Sequence, residues 1–329
     1  MRTYNIGWDI GGAHIKAAAL NEQGEVIAVF QRACPLWKGL EHLQNATRSI
    51  LQALDGLTIH QHAVTMTGEL VDLFQDRDDG VKQIIATLAD LLTGANISLF
   101  AGHDGLIKLE HITPLHYPLI ASANWLASAL FAAQHIKNGL FVDIGSTTTD
   151  ILLLQERQVA AQGYSDYQRL VSQELIYTGI VRTPVMATVK SVQDGTNTVG
   201  VMAEYFATLA DVYRLTGELD EHHDQADTAD GLAKTHLASA KRLARMIGCD
   251  GVENELPRWQ KLADNIRQQQ LLDIQNACQM QLRRQNKSQR ITLVGAGIGR
   301  FLAKDIAANL QLTYLDFSSL LPHPANSLE

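Results

Sequence analysis

The stretches Asp9-Ile10-Gly11-Gly12-Ala13-His14-Ile15-Lys16 and Asp143-Ile144-Gly145-Ser146-Thr147-Thr148-Thr149-Asp150 decide the fold. Each ends a short apolar run, residues 4–9 in one case and 140–143 in the other. Each is followed by a second such run, residues 14–20 and 151–155. Apolar runs broken by glycine read as strand, tight turn and return strand. A third strand is expected after each pair, at 26–32 and near 159–162, so one hairpin-plus-strand unit occurs twice and points to an internal duplication. Glycine in such a turn lets backbone N–H groups approach phosphate oxygens with no Cβ between them. An aspartate at the strand end can hold Mg2+ through its waters, and a lysine seven residues on can neutralise a phosphate. Taken singly, either turn is also compatible with an ordinary hairpin. The repetition favours a ligand.

From these turns outward, Leu40, Leu43, Ile50, Leu51 and Leu54 keep helical spacing, as do Val81, Ile84, Ile85, Leu88 and Leu92, with a strand near 63–67 between them. Residues 97–101 and 106–109 read as strands and 121–135 as an alanine-rich helix. Beyond the second turn, helices are expected over 201–215, 231–247 and 258–284, the last with a solvated face around Gln275 and Gln279. A final strand, 291–294, runs into Gly295-Ala296-Gly297-Ile298-Gly299-Arg300 and a helix to about residue 310. This third turn is a poor dinucleotide fingerprint, because too little chain follows it to complete a βαβαβ half. A strand–glycine–helix closing over a base, ribose or phosphate fits better, with the partial positive charge of the helix N-terminus behind it. Strands alternating with helices predict an α/β protein of two lobes with a cleft between them. The first lobe is placed at 1–130 and the second at 131–327, and residues 328–329 read as a cloning scar.

With 27 Lys+Arg against 35 Asp+Glu, the net charge of -8 gives no general attraction for nucleic acid or an anionic membrane. Cys34, Cys249 and Cys278 show no CxxC spacing, which argues for a reducing compartment and against a disulfide framework or zinc site. No apolar segment reaches the length of a membrane span, and no signal peptide opens the chain, so a cytoplasmic location is expected. The acidic stretch 218–230, which contains His222 and His223, reads as a solvated loop that does not assemble a transition-metal site.

The three glycine turns in this order resemble the superfamily of acetate and sugar kinases, heat-shock-70 ATPase domains and actin, over most of the chain. The resemblance implies duplicated ribonuclease-H-like domains whose first two turns clamp phosphates while the third contacts a nucleoside. It makes Asp9, Asp143 and Asp150 metal-shell carboxylates for Mg2+. It makes Gly11, Gly12, His14, Lys16, Gly145, Ser146, Thr147 and Thr148 phosphate contacts, and places Gly295 and Gly297 at the far end of the ligand site. His14 stands where that family often has Thr or Ser.

A narrower resemblance rests on Trp8 to Lys16, Met66-Thr67-Gly68-Glu69-Leu70, Ala123-Asn124-Trp125 and Tyr177-Thr178-Gly179-Ile180-Val181-Arg182-Thr183-Pro184. These strings look like a branch near the hydantoinase/oxoprolinase group, the tetrahydromethanopterin-linked one-carbon-transfer pathway protein family, which is similar to a synthase of methanofuran biosynthesis. The resemblance implies that an aminomethylfuran diphosphate is joined to the phenol of a glutamyl-tyramine, with loss of pyrophosphate. The phosphorylated ligand is then a small-molecule substrate; ATP is allowed but not required, and a homodimer is compatible. Glu69 is the first candidate to take the phenol proton and His14 the second, with Asp9, Lys16 and Asp143 the other catalytic candidates. Asn124 and Trp125 can meet a substrate ring and Arg182 a substrate carboxylate. Each has a plainer reading: a capping carboxylate for Glu69, a core tryptophan for Trp125, a surface ion pair for Arg182. An ATP-dependent kinase, an ATP-driven amide-ring hydrolase and a nucleotide-sensing scaffold are the competing functions.

Overall fold

In the first strand, β1 (Thr3–Ile10), alternate residues go to opposite faces: Ile6, Trp8 and Ile10 are buried, while Gly7 and Asp9 point to the other side. The computed structural model describes residues 3–285 and 290–321; the expected scar at 328–329 lies outside them. The chain divides into two units. Among the described residues, 3–131 with 318–321 form the first and 132–317 the second. The second lobe is expected to run on to residue 327; in the structure 318–321 group with the first unit.

The first unit contains β1, β2 (His14–Leu20), β3 (Val26–Ala33), helix α1 (Leu40–Ala53), β4 (Thr58–Met66), α2 (Arg77–Leu91), β5 (Asn96–Phe100), β6 (Leu106–Lys108), the single turn α3 (Tyr117–Ile120) and the start of α4 (Asn124–His135). The strand order is β3-β2-β1-β4-β5-β6, with β1, β2 and β3 antiparallel and β4 and β5 parallel to β1. Leu43 and Ile50 of α1 and Val81, Ile84 and Leu88 of α2 pack with Ile6, Trp8, Ile10, Val64 and Met66 in one core. The expected alanine-rich helix starts only at Asn124, because Ser122 before it takes a left-handed backbone with φ 51°.

The second unit repeats the plan with β7 (Gly139–Ile144), β8 (Thr149–Gln155), β9 (Gln158–Val159), α5 (Asp166–Ser172), β10 (Leu175–Ile176), α6 (Val185–Thr188), a separate hairpin β11 (Ser191–Asp194) and β12 (Asn197–Gly200), α7 (Leu209–Thr216), α8 (His236–Arg245), α9 (Leu256–Leu282), β13 (Thr292–Ala296), α10 (Arg300–Asn309) and β14 (Thr313–Asp316). Its sheet order is β10-β8-β7-β13-β14, with β7 and β8 antiparallel and β13 and β14 parallel to the central β7. Leu140, Phe141 and Val142 are all buried, the pattern of a strand covered on both faces. An antiparallel pair joined to parallel strands in the same order on both sheets is a duplicated ribonuclease-H-like topology, the plan of the actin/sugar-kinase fold.

Two expectations need correction. The helix expected over 201–215 begins only at Leu209, because Asp211 Oδ2 accepts the Thr208 N–H at 3.2 Å and closes the helix start there. The acidic stretch is not simply solvated either. Asp224 is buried and ion-paired with the buried Arg214, which also donates to Glu221 Oε1 at 2.7 Å. The buried Arg242 donates to Asp211 Oδ1 at 2.8 Å and to Asp230 Oδ1 at 3.0 Å. Two guanidiniums out of water require carboxylates beside them, and the loop supplies them. Among the described residues no group of three or more His, Cys, Asp or Glu is placed to hold a metal ion, and no helix is long and apolar enough to cross a membrane.

One buried polar pair ties β1 to β4: Trp8 Nε1 donates to His62 Nδ1 at 3.0 Å. Burial pushes the His62 pKa from 6.5 down to about 4, so the folded protein holds this ring neutral. Between these two values only the unfolded chain binds the proton, and stability therefore falls as pH falls through that window. The loss should approach about 3 kcal/mol near pH 4. Denaturant titrations between pH 7 and 4 should show that slope, and His62→Gln, which keeps an acceptor for the indole, should flatten it.

Candidate functional site

The two glycine turns are the same object built twice. Gly11 N–H donates to the His14 carbonyl at 3.0 Å, and Gly145 N–H donates to the Thr148 carbonyl at 2.9 Å. The preceding strand-end carbonyl is also used alike. Ile10 O accepts from Thr67 N at 2.9 Å and Ile144 O from Gly299 N at 2.8 Å, each donor following the strand parallel to the central one. Met66-Thr67-Gly68-Glu69 is therefore the first unit's counterpart of the third glycine turn, a relation the sequence does not display. Glycine keeps the contact free of crowding at Gly68 and is required for it at Gly297. A Cβ on Gly68 would lie 3.2 Å from Ile10 O, and one on Gly297 would lie 2.3 Å from Ile144 O and 2.4 Å from Asp143 Oδ1.

In the first unit, Asp9 and Lys16 are directly opposite each other across β1 and β2, with Lys16 Nζ 3.4 Å from Asp9 Oδ2. Asn124 Nδ2 reaches Asp9 Oδ1 at 3.5 Å, and its own Oδ1 accepts the Trp125 N–H at 2.8 Å. Asp9, Lys16 and Asn124 thus meet. Trp125 is buried, which leaves no open ring face for a substrate. Gly12 packs close under Val71, where a Cβ would come within 2.7 Å of its side chain, and His14 opens β2.

Glu69 is 1% exposed, and Ser122 Oγ donates to its Oε1 at 2.6 Å. Gly80 of α2 lets that helix approach, since a Cβ there would lie 2.6 Å from Glu69 O. Ser122, which the sequence did not single out, reaches the carboxylate from a left-handed backbone that a non-glycine residue adopts only when held there.

In the second unit Asp143 and Asp150 are directly opposite across β7 and β8. Like charges in that position repel. The buried Arg169 forms an ion pair with Asp150 and so neutralises one of them. Ser146 and Thr147 place their hydroxyls 3.4 Å apart in the turn. The Tyr177 to Pro184 string wraps this turn. Ile180 N–H donates to Gly145 O at 3.0 Å, Val181 N–H to Ser146 O at 3.0 Å and Arg182 N–H to Ser146 O at 2.9 Å. The Arg182 side chain is exposed and has no ion-pair partner among the described residues, so the plain surface-pair reading does not apply to it. Gly295 lies under Tyr314, where a Cβ would come within 2.7 Å of the ring, and Arg300 pairs with Asp316 at 3.2 Å.

A further support, with no signal in the sequence, stands behind the second turn. Gln270 of α9 is fully buried, unlike the solvated glutamine face expected of this helix, and donates to Thr178 Oγ1 at 2.8 Å and Gly179 O at 3.1 Å. Its Oε1 accepts from the buried Tyr213 hydroxyl. Thr149 Oγ1 donates to Thr178 O at 2.7 Å, and Gly179 N–H donates to Thr183 Oγ1 at 2.8 Å. Two of the three thiols are held protonated: burial pushes Cys34 up to about 11 and Cys278 higher still.

Gly179 abuts the turn so closely that a Cβ would lie 2.4 Å from Thr147 N. Gly179→Ala should therefore destabilise the protein by about 1–3 kcal/mol in denaturant titration. Gly200→Ala, where a Cβ meets nothing within 4 Å, should change stability far less.

The hydantoinase/oxoprolinase family model matches residues 60–325. The (4-{4-[2-(gamma-L-glutamylamino)ethyl]phenoxymethyl}furan-2-yl)methanamine synthase of Methanocaldococcus jannaschii is 29% identical over 251 residues, which cover 76% of this chain and 73% of that protein. The protein of the same name from Methanococcus vannielii is 33% identical over 123 residues, 37% of this chain and 55% of that one. Among solved structures, nucleotide-free acetone carboxylase superposes with a TM-score of 0.53 at 9% identity, over 92% of this chain and 66% of that chain. With 60–325 matched, most of the chain including the second turn, its wrapping segment and the third turn, this chain belongs to the hydantoinase/oxoprolinase family.

Proposed function

We propose that this protein is a synthase that forms an aryl ether, joining the phenol of a glutamyl-tyramine to the methylene of an aminomethylfuran diphosphate. The observation that carries the reading is the likeness, over 76% of this chain, to a synthase whose name describes that phenoxymethyl-furan product. The turn geometry supports it, because each unit presents a glycine turn with a strand-end carboxylate, and the second adds hydroxyl donors.

The bond account is simple. The phenol oxygen forms a C–O bond to the furan-bearing methylene. The bond from that carbon to the diphosphate breaks, and its electron pair leaves with pyrophosphate. The phenol proton, whose unperturbed pKa is about 10, must pass to a base. Asp143 and the neighbouring Ser146 and Thr147 hydroxyls are all oxygen donors of the kind a hard cation takes, and would hold Mg2+, while Asp9 offers a second carboxylate in its own unit. Asp150 is less available, since Arg169 already holds it. When bound, Mg2+ supplies neutralisation of charge on a phosphorylated ligand. Lys16 adds a fixed positive charge beside Asp9, and Arg182 offers its guanidinium to an anionic substrate group. Glu69 takes the phenol proton, with Ser122 holding the carboxylate in place.

Purified protein with Mg2+, both substrates and no ATP should yield the ether and free pyrophosphate by mass spectrometry. No ether, with ADP formed once ATP is added, would replace this reading with an ATP-driven hydrolase or kinase. Asp143→Asn and Asp9→Asn should each lower the rate on the order of 100-fold or more with the fold intact. Glu69→Gln retains an acceptor for Ser122 but not the base. A comparable loss is expected, and a rate within twofold of the wild type would make Glu69 structural and bring His14 forward.

A further inference from the structure

The first sheet has a second face, turned away from α1 and α2, and it is not filled. Gly7 is paired with Ala18 of β2 on one side and Ala63 of β4 on the other, so three small residues form one row across the middle of the sheet. The row is the floor of a pocket of about 420 Å3, walled by Val29, Phe100 and Leu106. A Cβ built on Gly7 meets nothing within 4 Å, an independent sign that the space above it is open. The next row toward the glycine turn is Lys16, Asp9 and Thr65, paired in the same way, and all three also line the pocket. Thr65 Oγ1 is shut off from solvent and has no hydrogen-bond partner among the described residues. The pocket wall is thus apolar along its length, and the row that carries the candidate catalytic carboxylate stands at one end of it.

We propose that this pocket is the acceptor subsite, taking the phenethyl portion of the substrate with the phenol hydroxyl toward Asp9 and Lys16. This assignment rests on the function proposed above, and physical chemistry chooses between the two rings. An apolar cavity of about 150 Å3 suffices for a benzene ring, so the pocket has room for a ring and its ethyl chain. A phenethyl group is apolar from its hydroxyl to its amide. The furan instead carries an ammonium and a diphosphate one carbon from the ring, and an apolar far end would leave one of those charges unpaired. Phe100 offers an aromatic wall for the ring.

The test is binding, separate from turnover. Glutamyl-tyramine alone should bind the wild-type protein in ligand-observed NMR or calorimetry. Gly7→Val, which places a side chain in the open space, should weaken it at least tenfold with the melting temperature unchanged. Ala63→Leu provides a second filling of the pocket should the first variant fold poorly. The analogue lacking the phenol hydroxyl should bind less tightly than glutamyl-tyramine. Acceptor binding equal to wild type in both filled variants would overturn the assignment. So would no acceptor binding at millimolar concentration, or Gly7-sensitive binding of the furan diphosphate in its place. Gly7-sensitive acceptor binding without ether formation would sink the synthase and keep the pocket; ether formation with an unchanged acceptor KM in Gly7→Val would do the reverse.

Discussion

The hydrogen bond on which each unit depends is the one made by its strand-end carbonyl. Ile10 and Ile144 each stand where the central strand gives way to a glycine turn. Each carbonyl is satisfied by an N–H from just past the neighbouring parallel strand. That single bond fixes how closely two loops approach, and in the second unit the approach is possible only because Gly297 has no side chain. The turn, its Asp and the loop opposite are therefore set by backbone, which holds position better than side-chain packing alone. A site built on such a frame is preorganised before any ligand arrives.

Around this frame the two units use different means. The first relies on an alternating sheet with one apolar face against its helices and a sparse opposite face. The second buries its central strand on both sides and carries ionised groups in its interior, with Arg214 and Arg242 locked to Asp211, Asp224 and Asp230. Such buried pairs are a poor source of net stability, because desolvation offsets most of the attraction. What they do give is a definite position for the loop that supplies the partners.

The two glycine turns were legible in the sequence because their requirement is local: an aspartate, a glycine two residues later and a strand on each side. The duplication followed from meeting that pattern twice. What the sequence hid are contacts between residues far apart in the chain. Ser122 meets Glu69 across 53 positions, Trp8 meets His62 across 54, and Gln270 meets Thr178 across 92. A buried glutamine on a polar helix carries no periodic signal, and the acidic loop looks solvated until the buried arginines of α7 and α8 are placed. The late start of α7 is different, since Thr208 and Asp211 form a recognisable capping pair that the apolar spacing outweighed.

Lys16 and Asp150 hold the same station in their respective halves, each opposite the turn's aspartate. One is a cation and the other an anion, so the repeat conserves geometry and inverts charge. A half of this molecule is consequently a template but not a spare part: each hairpin carries its own charge pair, and the β7–β8 pair needs Arg169 from outside the hairpin to balance Asp150. The two units share a backbone plan and divide in their electrostatics, and the difference between the halves can be read from that one position.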